Sequence, residues 1–443
     1  MHIPLQAPTL DDLLAELPAG RFAEVLHQPL GVVPGDDGYL HWDRLIHLAP
    51  PSGLNHKEWW LRLKFSRVVD RRLIPLVDQT NTPFYFSLPD EILELLHQVD
   101  QQASGRIGMA DSVMNPANRD RYVVTSLIEE AITSSQLEGA STTRRVAKEM
   151  LRTGREPRDR SEQMISNNFR AMQFVTANRD RDLSPEFIYE VHRLVTFGTL
   201  DDPEAAGRLQ RPDEVRVRIW DADQVLHTPP PAEELPQRIE KLCDFANGSN
   251  DRSWVHPVIR SIVLHFWMGY DHYFEDGNGR TARAIFYWSL LRQGYWLAEF
   301  LTISTILRKA PVSYAQSFLY TETDENDLTY FLRFHLDVVM RALDELQKYL
   351  QRKIEEVQEV EVLVRGDSGL NHRQRTLLGD ALRDPHARYT IEGHKQSHGV
   401  VYQTARADLL DLAARGLLEQ RRDGRAFVFV PPTNLSARLR ETG

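Results

Sequence analysis

Two apolar stretches of helical periodicity, His256–His272 and Thr281–Gln293, are interrupted by a break only a few residues long and rich in glycine. Such a break dictates a corner: one helix ends at His272, Gly277-Asn278-Gly279 turn tightly, and a second helix opens near Arg280. The same periodicity recurs at Tyr122–Glu138, Asn167–Asn178, Pro185–Phe197, Leu235–Ala246 and Tyr330–Val357. The fold class expected is therefore mainly α.

The corner carries an unusual density of chemistry. Glycines on either side of Asn278 permit positive φ, so successive N–H groups can converge on an anion. The helix that follows adds its free amides and its dipole. Arg280 and Arg283 are three apart, so both guanidinium groups can meet one anion. Asp276 offers a hard oxygen to Mg²⁺ beside phosphates, and His272 can serve as a general base near neutral pH. An EF-hand with Gly277 at its sixth position would need carboxylates at His272 and Arg283. A dinucleotide fold would need a strand before the glycines, where an apolar helix stands. The chain has no G-x-x-x-x-G-K-[ST] loop.

The segment His272-Tyr-Phe-Glu-Asp-Gly-Asn-Gly-Arg-Thr-Ala-Arg283 resembles the signature of the Fic family, His-Pro-Phe-x-Asp/Glu-Gly-Asn-Gly-Arg-x-x-Arg, departing only at Tyr273, where proline is commonest. The wider resemblance runs from about Arg119 to Arg352 and implies a helical Fic core. It implies a protein adenylyltransferase that uses ATP and Mg²⁺. His272 would deprotonate a Tyr, Ser or Thr hydroxyl of a protein target, which attacks the α-phosphorus and expels pyrophosphate. Asp276 would hold the metal; Gly277, Asn278 and Gly279 would bind phosphate oxygens, and Arg280 and Arg283 the β- and γ-phosphates. Phe274 would anchor the loop in the core.

Two other segments fit that frame. Val215–Trp220 alternates apolar and polar residues and, with the turn-like DADQ, predicts a β-hairpin through His227. The resemblance makes it a flap whose Val225, Leu226 and His227 dock an extended target segment by strand addition. Upstream, Ser134 and Glu138 lie four apart on one helix face, with Gly139 as its stop. They match the family's inhibitory motif, Ser/Thr-x-x-x-Glu-Gly/Asn, in which Glu138 would pair with Arg283 and deny it to the γ-phosphate. Tyr314 and Tyr320 are open to two readings, adenine pocket or core.

Beyond Gly366–Leu370, a linker-like GDSGL, helices are expected at Asn371–Asp384, Ile391–Ser397 and Gln403–Arg415, then a hairpin turning at Asp423-Gly424. Three helices and a two-stranded wing are the order of a winged helix-turn-helix. Residues 371–443 hold twelve Lys/Arg against eight Asp/Glu, a local +4 in a chain of net −10. Gln403, Thr404, Arg406 and Ala407 would meet a major groove and Arg421, Arg422 and Arg425 phosphates, although Asp408 and Asp411 share that helix; DNA and protein partners both stay open. The overall acidity argues against nucleic-acid binding by the whole chain. The domains expected are a lobe at 1–115, a Fic domain at 116–357 and the winged helix at 366–435. One cysteine, Cys243, excludes an internal disulfide and fits a reducing compartment. The N-terminus lacks a signal-peptide pattern and no apolar window approaches about 20 residues, so a cytoplasmic protein without membrane contact is expected. The partner is a protein substrate, the chain itself included; a homo-oligomer is compatible with the sequence.

Overall fold

The computed structural model describes residues 2–18, 20–28, 38–104, 116–221, 223–249, 254–366, 369–383, 387–423 and 426–442. Contacts divide the chain into two compact units, residues 1–346 and 347–443. Both are built mainly of helices, with three two-stranded antiparallel sheets among the described residues.

In the first unit the centre is the predicted helical pair, Pro257–Asp271 and Asn278–Arg292, called here the entry and exit helices. Pro257 starts the entry helix where no N–H is needed, and His256 caps it by accepting from Val258 N–H. Nearly every side chain of both helices is buried, which is why neither shows a polar outer stripe. Helices Pro116–Leu137, Arg160–Ala177, Pro185–Thr196 and Leu235–Asn247 surround them. Asp159 and Ser184 cap two of these with side-chain oxygens. The first of the four, Pro116–Leu137, is called here the clamp helix.

Residues before the clamp helix form helices Leu10–Glu16, Arg21–His27 and His56–Val68 and a hairpin of strands β1 (Arg72–Val77) and β2 (Pro83–Phe86). They belong to the same compact unit as the central pair. Trp59, Trp60, Leu45 and Val25 make their apolar core. Lys64, fully buried, meets the equally buried Asp324 at 2.5 Å, and Arg67 lies 3.8 Å from the same carboxylate. Tyr330 donates to Asp324 at 2.8 Å, so the buried charges are paired and hydrogen-bonded.

The expected β-hairpin, called here the flap, is present, with strands β3 (Ile219–Asp221) and β4 (Gln224–His227) in register Ile219↔His227 and Asp221↔Gln224. Pairing begins at Ile219 rather than Val215, because Arg216 turns inward to backbone carbonyls and draws residues 215–218 off the strand. Residue 222 lies outside the described residues. No helix among the described residues is long and apolar enough to cross a membrane.

The second unit carries helices His372–Arg383, Ile391–His398 and Tyr402–Ala414, strands β5 (Glu419–Asp423) and β6 (Ala426–Val430), and a last helix Leu435–Thr442. Leu378, Leu409, Leu412, Leu417 and Phe429 form its core. Gln403, Arg406 and Ala407 are exposed, while Asp408 points inward and accepts from Arg373, Asn371 and His394. Asp411 accepts from Gln374 and pairs with Arg415. Asp367, Ser368, Asp384, Gly424 and Arg425 of the expected linker, helix end and wing lie outside the described residues.

Candidate active site

The entry helix stops at His272, whose φ of 49° and ψ of 60° put a non-glycine residue in the left-handed region. Such a conformation stores strain and persists only where the surroundings impose it. The surroundings here are hydrogen bonds to three successive carbonyls, which the helix end leaves without intrahelical donors. His227 Nε2 lies 2.8 Å from Tyr270 O, Arg216 Nη2 contacts Asp271 O, and Arg216 Nη1 donates to His272 O at 2.8 Å. The flap thus grips the helix end from both of its roots. His227, the expected target-docking histidine, is turned inward; its Nδ1 meets Glu322 at 2.7 Å. Burial opposes its charge, but Glu322 and the Tyr270 carbonyl outweigh burial and hold its pKa above the ordinary value. Val225 and Leu226 remain half-buried on β4.

Below the loop, Asp271 is fully buried and accepts from Arg238 at 2.8 Å, Trp267 Nε1 at 2.8 Å and the Tyr273 hydroxyl at 2.7 Å. Tyr273, the one departure from the signature, therefore gives this carboxylate its third donor. Phe274 is buried as expected, with the His192 ring stacked on it at 3.8 Å. His192 Nδ1 accepts from Gly207 N–H at 2.8 Å, so its Nε2–H donates to Asp276 O, also at 2.8 Å. Neutrality is required for this arrangement, and burial pushes His192 down to about 4. His192, Arg216 and Asp271 have no sequence signature; the partners that reveal them, such as Asp276 O, His272 O and Arg238, are mostly distant in sequence.

Asn278 uses both side-chain atoms on the loop itself, accepting from Phe274 N–H at 3.0 Å and donating to Phe274 O at 2.7 Å. What it leaves for an anion is its backbone, at the start of the exit helix. Gly277 has φ 80°, and a Cβ there would strike Thr196 at 2.7 Å. Asp276 is about half exposed; its Oδ1 accepts from Gly277 N–H at 2.5 Å and lies 3.7 Å from Arg280 Nη2. No group of three metal-ligating side chains occurs among the described residues. One accessible carboxylate beside an anion cradle fits Mg²⁺, which takes few protein ligands and completes its shell with phosphate oxygens and water.

Arg280 is fully buried and donates to Val195 O at 2.8 Å; its Nε and Nη2 have no hydrogen-bond acceptor among the described residues. Donors left open on a buried cation are suited to receive an anion. Arg283, equally buried, is held by the clamp helix through Nε and Nη2. Its Nε donates to Ser134 Oγ at 2.8 Å, and its Nη2 to Ser134 O at 3.0 Å and Glu138 Oε1 at 2.8 Å. The Glu138 carboxylate lies directly over Gly279, where an added Cβ would collide with Oε1. It therefore fills the space in front of the exit-helix N-terminus with a negative charge. His272 stands at the other side of the corner, its Nδ1 3.3 Å from Gly269 O, which leaves Nε2 as the free lone pair. Burial is the main cause that pushes this imidazole down to about 4, with Arg216 adding to it. Tyr314 pairs with His265 at 2.9 Å, and Tyr320 stacks on His41 at 4.6 Å.

A helical core with a histidine, a glycine turn and two buried arginines at one corner falls into a known class: residues 182–290 match the Fic/DOC family model, and the chain carries a Fic/DOC domain there. The proteins it resembles can be named more narrowly. It is 28% identical over 205 residues, 46% of this chain and 37% of the relative, to the protein adenylyltransferase Fic of Drosophila sechellia. It is 30% identical over 176 residues, 39% of this chain and 32% of the relative, to that of Drosophila willistoni. The chain thus spans about a third of these relatives' length. In fold it resembles the crystal structure of a Fic family protein from Desulfovibrio desulfuricans G20, with a TM-score of 0.52 and 19% identity, covering 78% of this chain and 97% of that one.

Proposed function

We propose that this chain is a protein adenylyltransferase held in check by its own clamp helix. The observation that carries the reading is the single corner holding a neutral His272, a helix N-terminus and a buried Arg280 with unfilled donors, all faced by the Glu138 carboxylate. In the reaction, His272 Nε2 takes the proton of a target Tyr, Ser or Thr hydroxyl. The hydroxyl oxygen forms a bond to the α-phosphorus of ATP, and the bond to the bridging oxygen breaks, releasing pyrophosphate. The amides of Gly277 to Gly279 and Arg280 bind the phosphates, and Arg283 joins them once Glu138 lets it go. Asp276 would hold Mg²⁺, which supplies charge neutralisation on the phosphates when bound. Val225 and Leu226 present a strand edge to the target, whereas the inward His227 anchors the flap.

The test is incubation of the full chain with Mg²⁺ and ATP labelled at either the α- or the γ-phosphate. Label from α but not γ, stronger in Glu138→Gly and absent when His272→Ala is added, is the expected result. Label from the γ-position, or label that survives loss of His272, sinks the proposal.

A second reading concerns the second unit, whose order of three helices and a hairpin suits a winged helix. The inward turn of Asp408 leaves the exposed Gln403 and Arg406 without a carboxylate from that residue beside them, which supports DNA binding and a regulator that senses nucleotide through its Fic domain. Operator-selective binding with no AMP transfer, even in Glu138→Gly, would favour it over the enzyme.

A further inference from the structure

The clamp helix has a second working face. Glu130, Ser134 and Glu138 line one stripe, and Glu130 and Ser134 hold Ser304 and Arg283 there. The neighbouring stripe of Glu129, Thr133 and Gln136 forms the floor of a cavity of about 530 Å³. Its rim comes from Arg144, which follows the clamp helix, and from Arg308 and Lys309 at the end of helix Ile303–Lys309. That volume falls within the usual range for small-molecule sites, about 300–1,000 Å³.

The charges in this cavity are unbalanced. Glu129 is shared by Arg144, at 2.7 Å, and Lys148. Lys309 reaches Glu345 only at 3.6 Å, and Arg308 has no carboxylate partner among the described residues. The floor is polar and ordered: Thr305 donates to Thr133 at 3.4 Å, and Gln136 donates to Thr142 O at 3.1 Å. The Thr133 and Thr305 hydroxyls spend their protons within the floor, so the rim cations and the second N–H of the Gln136 amide are what would meet phosphate oxygens. Gln136 also carries the consequence to the other face. Its carbonyl accepts from Gly139 N–H at 3.2 Å, so Glu138 sits inside a turn that Gln136 closes.

We propose that this cavity binds a phosphate-bearing small molecule of about nucleotide size and that occupancy tightens the clamp on Arg283. The sign follows from linkage. The cavity is formed with the clamp helix seated, so a ligand that fits it favours the seated state and opposes release. The regulatory half rests on the adenylyltransferase reading; the binding half does not.

The probe is inorganic tripolyphosphate, titrated calorimetrically into the full chain and into Arg308→Glu/Lys309→Glu, with thermal melting to confirm that both fold. Any anion bound at the signature loop is common to the two proteins, so their difference reports the cavity. Binding at least tenfold weaker in the double variant is expected, together with self-labelling that tripolyphosphate slows more in the wild type. Equal binding in the two proteins, or none in either, overturns the site. Unequal binding with equal inhibition overturns the link to the clamp and leaves the site. Arg308→Gln/Lys309→Gln repeats the comparison should charge reversal prevent folding.

Discussion

Replacing Glu138 by glutamine removes one charge and almost no volume, which isolates the electrostatic part of the clamp. In the wild type Arg283 makes three hydrogen bonds to the clamp helix, of which the one to Glu138 Oε1, at 2.8 Å, joins two opposite charges. Hydrogen bonds to charged groups contribute about 1.5–3 kcal/mol. If release of Arg283 sets the active fraction, that range converts to a rise of about 10- to 150-fold in the initial rate of self-labelling. The Ser134 contacts remain, so release in Glu138→Gln is incomplete. Glu138→Gly should exceed it, because it also empties the space over Gly279. The assay is the initial rate of label incorporation from α-labelled ATP at several ATP concentrations, for wild type, Glu138→Gln, Glu138→Gly and Ser134→Ala. A Glu138→Gln rate within twofold of wild type, with Glu138→Gly far above both, would mean that the carboxylate blocks by volume and that the ion pair is incidental. Rates for all three variants at the wild-type level would refute the clamp altogether.

Acidification tests two histidines. Because His272 lies at about 4, labelling by Glu138→Gly should be flat from pH 8 to 6 and fall only as the pH approaches that value; a midpoint near 6.5, the ordinary histidine value, would contradict the buried neutral base. His192 also lies at about 4, below its unfolded value near 6.5, so its contribution is full above about pH 6.5 and is lost as the pH falls towards 4. The Gly207 amide, which donates to His192, should lose hydrogen-exchange protection over that window and lose it at every pH in His192→Ala. Asp324→Asn takes one of two carboxylates from the buried Lys64 and leaves Glu325, at 2.6 Å, as its partner, so urea unfolding followed by tryptophan fluorescence should show about 1.5–3 kcal/mol of destabilisation.

The corner itself was legible because everything it needs is contiguous: a helix stop, glycines for the turn and cations on the first turn after it. The pairing of Glu138 with Arg283 was legible as a pattern of spacing, although the two are 145 residues apart and only the fold brings them together. His192 was beyond reach, since its two partners are 15 and 84 residues away and neither is chemically distinctive. The flap shows how a single side chain defeats a pattern. VRVRIW alternates like a strand along its whole length, yet Arg216 gains more from capping bare carbonyls than from facing solvent, and the strand starts three residues later. In the first hundred residues the difficulty is reversed. Helix His56–Val68 buries Lys64 and Arg67, so the charges that ordinarily mark an outer face lie inside and the apolar stripe is unreadable.

The bolting of the flap to Tyr270, Asp271 and His272 bears on how such a protein can diversify. An arm held at both shoulders has little room to swing, so the strand ends at Asp221 and Gln224 are the part left to vary in length or sequence. If the proposed docking role holds, a target strand laid along it would meet a ledge at constant distance from the imidazole, and the ordering cost of that ledge would be met during folding rather than at each encounter. On that proposal, preference for one partner over another would drift at the tip while the spacing to the reacting hydroxyl stayed fixed.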